Sequence, residues 1–481
     1  MAAPTSTPVP AGPFRTGRPW TNWARTVSAT PARTAAPRDE AELAQVVTAA
    51  AGDGLRVRAV GAGHSFTPAA ATDGLMLNLD AVSGLLRLDR GPSDATLVTV
   101  GAGTRLHDLN ALLAARGLAM RNLGDIDRQS VAGAISTGTH GTGARLGGLA
   151  TQVRGLRVVG PDGTVRETVA GDDLFEASRL GLGATGILSA VTLEVVPAYD
   201  LRAQEEPWPL ERVLEGLDDL VDGNDHFEFY WFPLTRRALT LRNTRLPRDE
   251  AAPDDPSMNA ALRRVRSAAR SARSAARATA RVATRARSWV DEEALSNGAF
   301  GLVNRVATAY PQTTPRLNDF SARALSARTY TAPSYEVFCS HRRVRFREME
   351  YAVPRAALRD VLAELDAWLL ASGENVPFPV EVRFAAPDDV WLSTAHGRDT
   401  AYVAVHQYWR LPFGRYFSAA EQILAAAGGR PHWGKLHTRT ASELAPLYPR
   451  FADFQRVRAE ADPDGVFRNA YTDRVLGAGA G

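Results

Sequence analysis

A run of fourteen residues with almost no side-chain bulk, from Ser130 to Gly143, constrains the fold of this chain more than any other feature. Twelve of the fourteen are Gly, Ala, Ser, Thr or His, and the exceptions are Val131 and Ile135. Such a run cannot fill a hydrophobic core, because small side chains bury little apolar area. It is suited to close approach of the backbone to a large ligand, with hydroxyl and N–H groups facing that ligand. A glycine-rich surface loop is the alternative interpretation.

A second stretch of this kind follows the alternating segment 56–60, which predicts a strand. Gly61 and Gly63 allow backbone conformations that other residues rarely adopt, so several N–H groups can point at one anion. His64 and Ser65 come directly after this turn. A plain tight turn is equally compatible with the pattern. The dinucleotide-binding fingerprint Gly-x-Gly-x-x-Gly is not completed and no long helix follows, which argues against a doubly wound sheet.

Length and composition predict a cytoplasmic protein of two domains. The 481 residues exceed one core of ordinary size, and 45% hydrophobic with 23% charged residues is typical of a globular chain. The single cysteine, Cys339, excludes an internal disulfide and a cysteine-rich metal site. We expect neither a signal peptide nor a membrane span, because no apolar run approaches the roughly 20 residues that a span needs.

Basic charge is concentrated in one segment. Residues 261–290 contain nine arginines and no acidic residue, which leaves 47 basic against 53 acidic residues elsewhere. The arginines recur every three or four positions and form one stripe on a predicted helix. A weak contact with a polyanion or a membrane surface is one interpretation, and a solvated insertion is the other. The rest of the chain does not predict nucleic-acid binding.

The order of predicted elements indicates an α+β protein. Helices and strands mix in the first half, whereas the second half predicts an antiparallel sheet backed by helices, one of them over 208–221. The predicted parts are a flexible lead at 1–35 from which Trp20 and Trp23 dock, a first domain at 36–197, a second domain at 198–430 that carries the insertion 261–290, and a final segment at 431–481 that returns to the first domain.

Charged side chains gather at three places in the second half. Glu381 and Arg383 alternate in a predicted strand, so they face the same side about 7 Å apart. They can orient a polyhydroxylated substrate and stabilise an oxyanion, although a simple ion pair is the alternative. His406 lies in another predicted strand, and His432 and Lys435 flank a Trp-Gly pair. No zinc-ligand spacing occurs among these residues, so no metal is predicted.

These motifs together resemble the aldonolactone oxidoreductases of the vanillyl-alcohol-oxidase flavoprotein fold. The resemblance extends from Trp20 to Leu476, and it is carried by the segments 60–65, 130–133, 138–143, 381–383 and 430–435. It implies a two-domain α+β fold, in which a PCMH-type FAD-binding domain precedes a substrate-binding cap built on an antiparallel sheet.

The resemblance also implies a cofactor and the residues that bind it. FAD is expected to be joined covalently through His64, at the 8α-methyl carbon of its isoalloxazine ring. The implied cofactor-binding residues are Val60, Gly61, Ala62, Gly63, His64, Ser65, Asp125, Ser130, Gly133, Thr137, Thr139, His140, Gly141, Ile187, His432 and Lys435.

The implied reaction is oxidation of a sugar 1,4-lactone of the L-gulono or D-arabinono type. Hydride passes from the carbon that bears the hydroxyl next to the lactone carbonyl to flavin N5, and O2 or a redox protein such as a cytochrome accepts the electrons. The resemblance places Glu381 on the reacting hydroxyl, Arg383 at developing negative charge and Lys435 near flavin N1. His406 is a candidate proton acceptor. An alditol oxidase acting on open-chain polyols with O2 is one alternative, and a polyanion-binding protein is another.

Overall fold

The computed structural model describes residues 14–91, 95–247, 299–340 and 344–478. The arginine-rich segment 261–290, and with it the predicted polyanion contact, lies outside the described residues. Among the described helices, none combines the length and the apolar character that a membrane crossing requires.

The first half of the chain contains two sheets and one short hairpin. A four-stranded sheet has the order β1-β4-β6-β5, with β4, β6 and β5 parallel, and the hairpin pairs β2 with β3. The other sheet is antiparallel, with the order β11-β10-β12-β8-β7, and β9 pairs with β12. These strands are β1 Arg15–Thr16, β2 Trp20–Thr21, β3 Ser28–Ala29, β4 Arg33–Ala35, β5 Val57–Val60, β6 Leu75–Asn78, β7 Leu85–Arg90, β8 Thr96–Gly101, β9 Leu118–Ala119, β10 Val153–Val159, β11 Val165–Val169 and β12 Ile187–Pro197.

Two of the four helices described in this half begin at a side-chain cap. The Asp39 side chain accepts the Glu42 N–H and so starts the first helix. Ser130 accepts the Gly133 N–H in the same way, so the small-residue run contains one short helix rather than loop alone. The helices are α1 Glu40–Gly52, α2 Leu106–Ala114, α3 Val131–Ser136 and α4 Asp173–Ser178.

The second half is built on an eight-stranded antiparallel sheet, as the sequence predicts. Its order is β16-β13-β15-β14-β18-β19-β17-β20. The strands are β13 Tyr199–Pro209, β14 His226–Phe232, β15 Arg237–Pro247, β16 Arg328–Pro333, β17 Phe346–Pro354, β18 Val380–Ala385, β19 Thr400–Tyr408 and β20 Arg430–Pro431.

Helices cover one face of the central strands, and polar side chains lie on the other. Buried Phe229, Trp231 and Val382 belong to the core that these helices complete. Because neighbouring residues in a strand point to opposite faces, Tyr230 and Glu381 lie on the uncovered face. The remaining helices are α5 Leu210–Glu215, α6 Leu217–Asp222, α7 Ala299–Ala309, α8 Thr314–Ala324, α9 Ser334–Phe338, α10 Leu358–Ser372, α11 Gly414–Ala426, α12 Ala441–Leu444, α13 Phe451–Ala461 and α14 Ala470–Leu476.

Two sequence predictions differ from this structure. Trp208 lies in strand β13, which ends at Pro209, rather than starting a helix. Gly216 separates α5 from α6, so the predicted helix over 208–221 is shorter and divided. Residues 14–35 are not a free lead, because β1 pairs with β4 and β4 joins the parallel sheet. Trp20 and Trp23 dock as expected. The predicted domain boundaries stay predictions.

Candidate active site

Small residues from three segments line one cleft between the strands of the first half, which we call the glycine cleft. The lining includes 58–65, Ser130 to Thr137 in part, and 182–188 in part. The close approach depends on the absence of side chains, since a Cβ on Gly61 would lie 2.5 Å from Ser130 Oγ. Gly63 has φ +69°, a conformation that glycine adopts at little cost. The bend at 61–65 and the run at 130–143 therefore face one space.

A buried arginine holds the floor of the glycine cleft together. Arg58 projects from β5 and donates hydrogen bonds to the carbonyls of Ala69, Leu182, Gly183 and Phe467 at 2.5 to 3.1 Å. Burial lowers its pKa to about 10, which still leaves the guanidinium charged at neutral pH. These bonds tie the strand to two loops of the first half and to the final segment of the chain.

A second cavity, which we call the charged cavity, adjoins the glycine cleft. His64, Ser65, Gln129 and Thr137 line both. The other walls of the charged cavity are Trp23, Phe66, Gly124, Asp125, Ile126, Thr139, His140, Phe346, Glu348, Glu350, Glu381, Arg383, His406, His432, Gly434 and Lys435.

Strand register brings the charged side chains together. Glu381 of β18 and Glu350 of β17 both lie opposite Ala404 of β19, and Glu348 lies opposite His406. These positions are on the sheet face away from the covering helices, so their side chains share one space. Because Ala404 has a small side chain, the middle of this polar face stays open.

Arg383 connects three carboxylates at one end of the charged cavity. Its Nη2 lies 2.5 Å from Glu381 Oε1, its Nε donates to Glu228 at 2.8 Å, and its Nη1 lies 3.7 Å from Asp125. Tyr230 donates its hydroxyl to Glu381 Oε1 at 2.8 Å. Burial opposes the charge of Arg383, but Glu228 and Glu381 raise its pKa well above the ordinary value. Burial raises the pKa of Glu228 to about 7, against the effect of Arg383.

Lys435 contacts two carboxylates at the other end of the charged cavity. Its Nζ lies 2.5 Å from Glu348 Oε1 and 3.9 Å from Glu350 Oε2. Glu350 also lies 3.0 Å from His140 Nε2. Burial opposes the charge of Glu350, but His140 and Lys435 hold its pKa well below the ordinary value. Burial opposes the charge of Glu348 too, yet Lys435 and His406 lower its pKa to about 2.

The histidines of the two cavities have defined surroundings. His432 Nδ1 accepts the Gly434 N–H, so the neutral ring carries its proton on Nε2 and has no lone pair there for a metal. His406 Nδ1 donates to the Pro379 carbonyl at 3.1 Å, and its Nε2 lies 3.6 Å from Glu348 and 3.9 Å from Glu381. Burial and nearby Lys435 lower the pKa of His64 to about 4.

Buried neutral histidines predict a loss of stability in acid. Burial lowers the pKa of His226 and His432 to about 4 and that of His437 to about 3. Since the unfolded chain protonates these groups near pH 6.5, we expect the free energy of unfolding to fall between pH 6.5 and 4. Each histidine contributes about 1 to 2 kcal/mol of that fall by pH 5. The raised pKa of Glu228 acts in the opposite direction and offsets part of this fall, whereas the lowered pKa of His64 adds to it.

Urea unfolding at pH 7.5, 6.0 and 5.0 measures this dependence. A His437→Gln variant should show a shallower fall than the unchanged protein. A free energy of unfolding that stays constant from pH 7.5 to 5.0 would contradict the prediction.

The structure brings nearly all the predicted site residues to the two cavities. Gly141 is the exception, since it lines a smaller cavity whose walls also include Arg383 and Glu228. Sequence reasoning missed Glu228, Tyr230, Glu348 and Glu350, which lie on β14 and β17. The available signal was the alternation of polar with apolar residues along both strands.

Comparisons with known proteins agree with this architecture. Residues 191–475 match the D-arabinono-1,4-lactone oxidase family, and residues 31–168 match the FAD binding domain family. The chain is 41% identical to L-gulono-1,4-lactone dehydrogenase of Mycobacterium tuberculosis, covering 95% of this chain and 99% of that protein. It is 31% identical to L-gulonolactone oxidase of Mus musculus, with 95% and 97% covered. Its fold is similar to cholesterol oxidase of B. sterolicum, with a TM-score of 0.73 at 17% identity and with 99% and 100% covered.

The fold and the two adjoining cavities define an FAD-dependent oxidoreductase that acts on CH–OH donors. The residues present fit the cofactor, because glycine, alanine and hydroxyl residues line the cleft, and its two sides approach so closely that a Cβ on Gly61 would lie 2.5 Å from Ser130 Oγ. The chain belongs to the D-arabinono-1,4-lactone oxidase family. The predicted recognition and fold are thereby confirmed.

Proposed function

We propose that this protein oxidises a sugar 1,4-lactone of the L-gulono or D-arabinono type, with FAD attached covalently through His64. The main support is that the charged cavity and the glycine cleft meet at His64 and Ser65. FAD held by the residues of the cleft would supply its redox chemistry beside the polar groups of the charged cavity. The names of the relatives, which include a dehydrogenase and an oxidase of gulonolactones, point to the same substrate class.

Glu381 binds and orients the reacting hydroxyl in this proposal. Its Oε1 already accepts Tyr230 and contacts Arg383, whereas its Oε2 faces His406 Nε2 at 3.9 Å. One hydroxyl oxygen can lie within hydrogen-bond distance of both groups. When bound, FAD supplies a hydride acceptor at N5. His406 takes the hydroxyl proton at Nε2, because its Nδ1 is committed to the Pro379 carbonyl.

Two cations, the buried Arg383 and the half-buried Lys435, stabilise negative charge. Arg383 lies beside Glu381 and can donate to an oxygen that gains charge during oxidation. Lys435 lies at the other end of the cavity, beside Glu348, and 5.3 Å from the Phe66 ring centroid. We assign it to the pyrimidine end of the flavin, near N1, where a fixed positive charge favours the reduced ring.

The residues assigned to the cofactor follow the lining of the cavities. The segment 60–65, which contains the bend, and the run at Ser130, Gly133 and Thr137 would hold the diphosphate, and Ile187 would contact the nucleotide through its backbone. Asp125, Thr139, His140 and His432 would surround the ring from the charged cavity. Gly141 is assigned to packing, since a Cβ there would lie 2.2 Å from the Leu123 carbonyl.

The His64 linkage predicts flavin that survives denaturation. His64 offers a neutral imidazole at neutral pH, because burial and Lys435 hold its pKa near 4. We expect the purified protein to keep its yellow colour through acid precipitation, and His64→Ala to lose all of it. The measurement is flavin absorbance in the washed precipitate. His107→Ala, outside both cavities, serves as control and should retain colour.

A substrate panel tests the reaction itself. L-gulono-1,4-lactone and D-arabinono-1,4-lactone should reduce the protein-bound flavin, which bleaches near 450 nm, a general property of flavins. Reduction by an open-chain polyol but by neither lactone would support the alditol oxidase alternative. The same assay with O2 and with a cytochrome assigns the electron acceptor. A cytoplasmic location stays a prediction from the sequence.

A further inference from the structure

An N-terminal segment lies across the bend that carries His64. We call residues 20–27 the N-terminal strap. The Trp23 N–H donates to the Gly63 carbonyl at 2.8 Å, Asn22 Nδ2 donates to the Ser65 carbonyl at 2.9 Å, and Thr26 Oγ1 donates to the Phe66 carbonyl at 2.8 Å. Three of the four carbonyls from 63 to 66 are thus bound by the strap.

The strap is itself pre-formed. Asn22 Oδ1 accepts the N–H groups of Thr26 and Val27 at 2.9 and 3.1 Å, which closes a turn around that side chain. Trp20 packs on the same bend, since a Cβ on Gly63 would lie 3.3 Å from its ring. A rigid segment therefore presents its side chains to the bend at fixed positions.

The Trp23 indole stacks on the His64 imidazole. The ring centroids are 5.6 Å apart with an interplanar angle of 29°. The indole is held in turn by edge contacts with Phe66 at 6.4 Å and with Phe346 of β17 at 5.3 Å. Trp23 thus connects the bend of the first half with the large sheet of the second half.

Stacking is the main restraint on the His64 ring. In the part of the chain that the structure describes, neither ring nitrogen of His64 makes a hydrogen bond, and the residue is half-buried. Other histidines of the site are oriented by hydrogen bonds, as His432 is by Gly434 and His406 by Pro379. The orientation of the His64 ring therefore depends on the aromatic surface beside it.

We infer that Trp23 is the positioning residue for covalent flavin attachment, holding the His64 ring so that one nitrogen faces the 8α carbon of bound FAD. This inference depends on the proposed His64 linkage. In that attachment His64 exchanges its N–H bond for an N–C bond, and the 8α-methyl carbon gives up one C–H bond. The two protons leave to solvent, and the two electrons pass to the bound ring and then to the acceptor used in turnover.

Attachment can be separated from binding experimentally. The protein is expressed so that it contains no flavin and is then mixed with a saturating concentration of FAD. The amount of acid-stable flavin is measured over time. The affinity for FAD is measured separately in the same variants carrying His64→Ala, which cannot attach it. A residue that merely supports the fold would change affinity or the melting temperature, whereas a positioning residue changes the attachment rate.

Trp23→Leu is expected to slow attachment about tenfold while FAD affinity changes little. Trp23→Phe, which keeps a smaller ring, should recover part of the rate. The matched control is Trp208→Leu, because Trp208 lies in β13 between Arg212 and Arg242, away from both cavities. If Trp23→Leu does not fold, Trp23→Met replaces it, since that side chain keeps length and apolar character without a ring.

The outcomes distinguish the positioning role of Trp23 from the covalent linkage through His64. If Trp23→Leu, or Trp23→Met in its place, attaches flavin at the rate of the unchanged protein, the role of Trp23 is overturned and the His64 linkage stays intact. Absence of acid-stable flavin in the unchanged protein, or its persistence in His64→Ala, overturns the linkage itself. Slower attachment with equal slowing in Trp208→Leu also rejects the inference.

Discussion

Arg383→Met is expected to lower turnover about a thousandfold while FAD stays bound. The substitution removes the guanidinium that lies 2.5 Å from Glu381 and 2.8 Å from Glu228. It also leaves these two carboxylates without the cation that neutralises them, which makes their negative charges costly in this low-exposure site. The measurements are kcat with a sugar lactone and the flavin content per polypeptide.

Two further variants test whether the loss of turnover is specific to the Arg383 guanidinium. Arg236→Met removes a paired arginine of the same half at a position where the side chain is 60% exposed, and it should leave turnover unchanged. Arg383→Lys keeps a positive charge but loses the planar fork, so its turnover should fall between the two. Near-normal turnover of Arg383→Met would remove this residue from the proposed chemistry.

Gly61→Val is expected to weaken FAD binding about a hundredfold or more. A Cβ at this position would lie 2.5 Å from Ser130 Oγ, so the bend and the small-residue run must separate. Ser130 also caps the short helix α3 by accepting the Gly133 N–H, which limits how far it can yield. The purified variant should be colourless.

The control for this substitution is Gly52→Val. Gly52 ends α1, and a Cβ there would meet no atom within 4 Å, so flavin content should not change. FAD titration into both variants, each in the His64→Ala background, gives affinities without covalent attachment. Equal affinities for the two variants would show that the bend and the run do not enclose the cofactor.

The sequence predicted the site largely because its motifs are local. Gly61, Gly63 and His64 are close in the chain, so their spacing predicts a turn, and the small-residue run at 130–143 favours a turn that faces a ligand. Glu381 and Arg383 are two positions apart in one strand, and strand geometry alone puts them on the same face. Such relations need no knowledge of the fold, and the structure agrees with each of them.

Contacts between residues far apart in the chain could not be predicted from local spacing. Glu348 lies beside Lys435 and Glu228 beside Arg383 because of strand order and register, which no spacing in the chain records. The same holds for Trp23, which the sequence placed in a flexible lead. Its contact with His64 spans 41 positions and depends on the turn around Asn22.

By itself, the sequence determined which segments have small side chains, which strands alternate polar with apolar residues and which side chains can carry charge, since these properties are local. The tertiary structure decided which charges neutralise one another and how the His64 ring is held. The physical reason is that burial makes an unpaired charge costly, so Arg383 pairs with Glu228 and Lys435 pairs with Glu348, each from a segment far away in the chain.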